Sequence, residues 1–123
     1  MNNEKISNNP IVRLSLEFSL SVMEYCERLR ELQHWDLSRQ LFRSATSIGA
    51  NVWEAQNSES KADFVHKMKI AAKEANETQY WLLLCLKSIG YPTCEGLLEK
   101  LESISKILSA IISSSKRDDA KTS

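Results

Sequence analysis

Residues 60–92 read SKADFVHKMKIAAKEANETQYWLLLCLKSIGYP, and this stretch decides the fold. Phe64, Met68, Ala71, Ala75, Thr78, Leu82, Cys85 and Ile89 recur in alternating steps of four and three. That period places them on one face of a helix. Ser60 is positioned to cap its start, with Asp63 three residues on as the capping-box partner. Gly90 and Pro92 close it, glycine at C′ and a helix-breaking proline soon after. A stripe this long needs other elements to cover it.

The flanking sequence supplies that cover in the same period. Upstream, Asp36 can cap a helix striped by Leu37, Leu41, Ala45, Ile48, Val52 and Ala55, with a break at Gln56-Asn57-Ser58. Before it, Asn9-Pro10 pairs an N-cap with a proline at N1, where a missing N–H costs nothing. Ile11, Leu14, Phe18, Val22, Tyr25, Leu29 and Leu32 then form one face, ending near His34-Trp35. Downstream, Thr93 can cap a helix carrying Leu97, Leu101, Ile104, Leu108 and Ile111. The expected helices therefore span about 10–34, 37–56, 60–89 and 94–112. Residues 1–9 read as a flexible segment and the polar, aperiodic residues 113–123 as a disordered tail. Short connections make neighbours antiparallel, so the expected fold is all-α, an up-down-up-down four-helix bundle.

At 123 residues the chain has room for one domain, and three Gly and two Pro disfavour a turn-rich all-β fold. Lys plus Arg and Asp plus Glu are both 16. The charges are also even along the chain: residues 1–35 carry four basic and five acidic side chains, 36–89 seven and six, 90–123 five and five. That removes the simplest argument for nucleic acid or an anionic membrane. Cys26, Cys85 and Cys94 are odd in number and without C-x-x-C spacing, which fits a reducing compartment. The polar start lacks a signal-peptide core, and no apolar run reaches the roughly 20 residues that span a bilayer. The expected location is the cytoplasm, with no membrane partner.

More apolar surface is present than one core needs. The first helix has a second row, Val12, Leu16, Leu20 and Met23, and the next has Phe42, Thr46, Gly49 and Trp53. Either the rows widen the core stripe or they mark a subunit interface, since long exposed rows invite aggregation. Leu16, Leu20, Met23, Phe42, Gly49 and Trp53 are the interface candidates. Gly49 inside a helix costs about 1 kcal/mol against Ala, which close approach of another backbone would repay.

A polar row, Gln40, Arg43, Ser47, Asn51 and Glu54, borders the same stripe, as do Glu74 and Glu77 on the following helix. A hairpin turning near Ser58 would set Arg43 beside Glu74 and Gln40 beside Glu77. A solvated face is one reading, and a network that fixes helix register is the other. Removing Arg43 from a buried pair would cost roughly 3–5 kcal/mol. From an exposed one the cost is about 0–1 kcal/mol.

Catalytic and metal chemistry find little support. Glu31-x-x-His34 and Asp63-x-x-His66 resemble half-sites of a di-metal bundle, but the second helix separates them. At about 1.5 Å per residue they lie on the order of 20 Å apart. No Gly-rich phosphate loop and no nucleophile elbow accompanies either histidine. The expectation is no enzyme, no metal and no cofactor.

These residues resemble the four helix bundle protein family, also called the 23S ribosomal RNA intervening-sequence protein family. The resemblance runs through Gln40, Arg43-Ser44, Ser47-Ile48, Asn51 and Glu54, then Asp63-Phe64, Ala72, Glu77-Thr78-Gln79 and Ile89-Gly90-Tyr91. Ala55 stands where the family often has Gly, and Glu74 where it has Ser. The Arg43–Glu74 pairing is therefore read from spacing alone. The resemblance implies a homopentameric barrel of antiparallel bundles with a central channel. It also implies a chain encoded inside an intervening sequence of a large-subunit rRNA gene. A related branch resembles accessory proteins of diversity-generating retroelements, which bind a reverse transcriptase and its RNA and are strongly basic.

The expected function is thus a non-enzymatic, homo-oligomeric accessory protein associated with nucleic acid, with RNA and a reverse transcriptase as partner classes. The alternative is a structural or protein–protein interaction module. Arg28, Arg30 and Arg39 gather at one end of the expected bundle and are the nucleic-acid candidates, diluted by Glu27, Glu31 and Asp36. Lys67, Lys69 and Lys73 form a more dispersed group.

Overall fold

A computed structural model describes residues 2–122. Five helices follow in order: α1 Asn3–Asn8, α2 Pro10–Glu31, α3 Trp35–Ala55, α4 Lys61–Lys87 and α5 Glu95–Thr122. The four long ones form a closed ring of contacts, α2 with α3, α3 with α4, α4 with α5 and α5 with α2. Consecutive helices are antiparallel neighbours, so the architecture is the all-α up-down-up-down bundle. The core is continuous along it. Phe18, Val22, Tyr25 and Leu29 of α2 meet Leu41, Ile48 and Val52 of α3, Met68 and Leu82 of α4, and Leu101, Ile104 and Leu108 of α5. Each such side chain contributes roughly 1.5–3 kcal/mol by leaving water.

Side-chain caps set some boundaries; α3 starts at Trp35 after an uncapped His34, so Asp36, the expected cap, lies in its first turn. Ser60 accepts from the Asp63 N–H at 3.0 Å, as its position required. Asn9 makes no side-chain cap bond; its amide nitrogen instead donates to Gln56 Oε1 at 3.1 Å and ties α2 to the end of α3. Between α2 and α3, Gln33 adopts φ +66°. The Gln33 N–H reaches Arg30 O at 2.9 Å and the His34 N–H reaches Leu29 O at 2.8 Å, a Schellman closure. Gln33 is exposed and pays the left-handed cost of a residue with a Cβ. Gln33→Gly is expected to raise stability by roughly 1 kcal/mol, read as a higher urea midpoint at unchanged slope. An unmoved midpoint would refute the assignment.

The ends depart from the expected boundaries. Within residues 1–9, Asn3–Asn8 is helical, and Asn2 caps it by accepting from the Lys5 N–H at 2.9 Å. The segment 113–123, read as a tail, is helix as far as Thr122. Lys116 and Arg117 are good helix formers, and α5 runs on past the end of its apolar stripe. At the other loop α4 stops at Lys87, where Ser88 turns extended ahead of Gly90 and Pro92, with its hydroxyl donating back to Leu84 O at 2.6 Å. Ile89, expected in the core stripe, is fully exposed. Gly90 takes φ +85° within the turn that follows.

Candidate interaction surfaces

The polar row lies along the α3–α4 seam. Arg43 Nη1 donates to Glu74 Oε2 at 3.3 Å and Nη2 donates to Glu77 Oε2. Trp81 Nε1 holds the same Glu77 oxygen at 3.2 Å. Ser47 and Asn51 donate to carbonyls one turn back, Arg43 O at 2.7 Å and Ser47 O at 2.8 Å. Glu54 accepts from Lys67 Nζ at 3.0 Å. Gln40 is exposed and, among the described residues, bonds to neither carboxylate. Beneath the row, two buried hydroxyls meet in the core, Thr78 Oγ1 and Ser44 Oγ at 2.9 Å.

Exposure decides what the Arg43 pairs are worth. The Arg43 side chain is 49% exposed, that of Glu74 17% and that of Glu77 37%. Arg43→Ala leaves two like charges one turn apart on α4, half screened by water. The expected cost is about 1–2 kcal/mol, between the exposed and buried limits, shrinking at high salt. Urea denaturation at low and high salt measures it; a loss near 4 kcal/mol or a salt-independent one would contradict the geometry.

The apolar rows divide between core and surface. Val12 is buried, whereas Leu16, Leu20 and Met23 of α2 and Phe42 and Trp53 of α3 stand exposed. A groove of about 230 Å³ runs between the two helices, floored by Ser15, Ser19 and Gly49. A Cβ at Gly49 would lie 3.1 Å from Ser19 Oγ and 3.4 Å from Ser15 O. Within the chain, the backbone that Gly49 admits is that of α2.

A second apolar face escaped the sequence reading. Tyr80, Leu83, Leu84 and Leu86 of α4 are all exposed large apolar residues. Residues 80–86 are apolar at every position, so no period separates a core side from an outer side. Such a run was itself the signal, because a helix apolar all round is normally covered.

The three arginines at the end of the bundle do not share one site. Arg28 lies with its guanidinium carbon 5.4 Å from the Tyr25 ring centre, in a depression with Glu24, Glu27 and Lys100. Arg30 and Arg39 line a different cleft, of about 470 Å³, together with Trp35, Ser38, Phe42 and Arg43. Arg30 Nη1 donates to Ser38 Oγ at 3.2 Å, and Arg39 pairs with Asp36 at 2.6 Å. The partners in that second pair are 74% and 96% exposed.

The thiols are buried and free. The Cys94 thiol donates to Leu82 O at 3.3 Å, and the Tyr25 hydroxyl donates to Pro92 O at 2.7 Å. Burial pushes Cys85 up to about 11 and also raises Cys26 and Cys94, so none is an activated nucleophile. Burial likewise raises Tyr25. His34 stacks on Tyr91 with ring centres 3.8 Å apart, joining the α2–α3 and α4–α5 turns. Among the described residues, no group of three His, Cys, Asp or Glu is placed to hold a metal, and no helix is long and apolar enough to cross a membrane.

The geometry can be set beside known proteins. The chain is similar to a crystal structure from Bacteroides thetaiotaomicron VPI-5482, a protein of unknown function from the S23 ribosomal protein family. Identity is 39%, the TM-score is 0.80, and the match covers 83% of this chain and 97% of the other. Comparison with curated proteins gives no match. The family model described as 23S rRNA-intervening sequence protein matches residues 7–110, from the end of α1 through the buried part of α5. Structural similarity to a relative of that identity agrees with the match, and the chain belongs to the 23S rRNA-intervening sequence protein family.

Proposed function

We propose that the protein is a non-enzymatic homo-oligomer, pentameric by family resemblance, that acts in the cytoplasm as an RNA-associated accessory protein. The assembly rests on one observation: two unlike apolar faces, α2/α3 with Leu20 and Trp53, and outer α4 with Tyr80 and Leu84. A contact between unlike faces is heterologous, and repeated around an axis it closes a ring. The nucleic-acid half rests on the family, named for intervening sequences of rRNA. A reverse transcriptase is a further partner class under the same reading.

Two experiments test the two halves. Light scattering on the unmodified protein is expected to give the mass of five chains, and a monomer would end the assembly reading. Titration with a structured RNA is expected to give saturable binding at low salt that weakens linearly in log–log terms as salt rises. Arg30→Ala with Arg39→Ala, two residues that line one cleft, should flatten that slope. A specific observation favours the competing protein-interaction module: the net charge is zero, and Arg39, Arg43, Lys67 and Lys106 are all paired with carboxylates. Absence of saturable binding at low salt selects it.

A further inference from the structure

We infer that the cleft at the start of α3 is a binding subsite for one nucleotide of single-stranded RNA, with Trp35 as the stacking platform and Arg30 and Arg39 as the phosphate contacts. The inference rests on the RNA reading above and assigns it a location. Trp35 is 57% exposed, an unusual setting for an indole, and it stands with Phe42 in the apolar part of the cleft. Base-on-aromatic stacking is tolerant of sequence and needs an accessible ring of this kind. Bracketing the ring in the chain are two cations whose charge is available. Arg30 has no carboxylate partner among the described residues and is steadied by Ser38 Oγ, leaving most of its five N–H donors unused. Ser38 is itself buried and fixed through a bond from its hydroxyl to Cys26 O at 3.2 Å, so Arg30 is held from a rigid point. Arg39 pairs with Asp36, both largely in water, and such a pair is weak enough for a phosphate to displace.

The turn sequence creates this juxtaposition. The left-handed Gln33 ends α2 abruptly and starts α3 at Trp35, which brings the last turn of α2, with Arg30, against the first turn of α3. Arg43 also lines the cleft but is committed to Glu74 and Glu77 and is not assigned a phosphate. The cleft therefore sets cations beside a flat apolar group, which complements the phosphate and base of a nucleotide within a strand.

The test is fluorescence anisotropy with a fluorescein-labelled oligoadenylate of about a dozen nucleotides, using the full chain. Trp35→Ala is expected to weaken binding about tenfold, and Trp35→Phe to retain most of it. Arg30→Ala should lower the log–log salt slope by about 0.7 per contacted phosphate. Circular dichroism and light scattering should match the unmodified protein, because Trp35 lies outside the core. Unchanged affinity in Trp35→Ala would overturn the subsite while leaving RNA binding in place; no binding by the unmodified protein would overturn both. A Trp35→Ala protein of altered mass would assign the residue to a subunit contact instead. Equal, Trp35-dependent binding of a Glu-rich peptide would replace RNA as the occupant.

Discussion

Gly49→Leu is expected to destabilise the folded subunit itself, whereas Gly49→Ala is expected to be nearly neutral. At Gly49 the helices α2 and α3 approach so closely that a Cβ already stands 3.1 Å from Ser19 Oγ and 3.4 Å from Ser15 O. The first of these is the end of a side chain, which can rotate away from the Ser15 carbonyl it now bonds at 3.0 Å. The second is backbone and cannot. Alanine therefore trades a small adjustment against about 1 kcal/mol of helix propensity gained. Leucine must push α2 from α3, and overpacking of this kind costs typically 1–3 kcal/mol, more where backbone has to move. Thermal or urea denaturation distinguishes the pair. If both variants unfold like the unmodified protein and only the oligomer is lost, the close approach is between subunits after all.

That outcome also marks how far the sequence could be read. The period of Met68, Ala71, Ala75, Thr78, Leu82 and Cys85 identified core positions because the same burial repeats every turn, and all six are buried. The seam between Arg43 and the pair Glu74 and Glu77 followed from hairpin arithmetic once two helices and a turn were in place. What the residues did not disclose depends on events that carry no period. Ile89 left the core because the extended Ser88 ends α4 before it. Gly49 announced a close approach without saying whose backbone arrives. Arg28 and Arg30 part because i and i+2 face opposite sides of α2, whereas the left-handed Gln33 that sets Arg30 beside α3 is a Schellman turn without glycine and has no clear signature. Trp35 looked like a helix terminus and is the exposed floor of a cleft for the same reason.

Leu20→Glu combined with Trp53→Glu is expected to convert the oligomer to a folded monomer. Leu20 is 55% and Trp53 37% exposed in the single chain, so Leu20→Glu costs the isolated bundle little and Trp53→Glu costs it the packed part of one indole. At a subunit contact the same carboxylates must lose water without a partner, a penalty of several kcal/mol at each place. A ring repeats that penalty at every contact, so two substitutions per chain suffice to dissolve it. The matching change on the opposite face, Tyr80→Glu with Leu84→Glu, should do the same, because a heterologous contact fails from either side. Mixing the two variants supplies the decisive comparison. Each retains one intact face, so a heterologous interface predicts recovery of a one-to-one dimer that neither variant forms alone. An isologous contact through α2/α3 predicts instead that the α4 variant stays fully assembled. Sedimentation velocity on the two variants and their mixture separates these results, and circular dichroism confirms that the helices persist throughout.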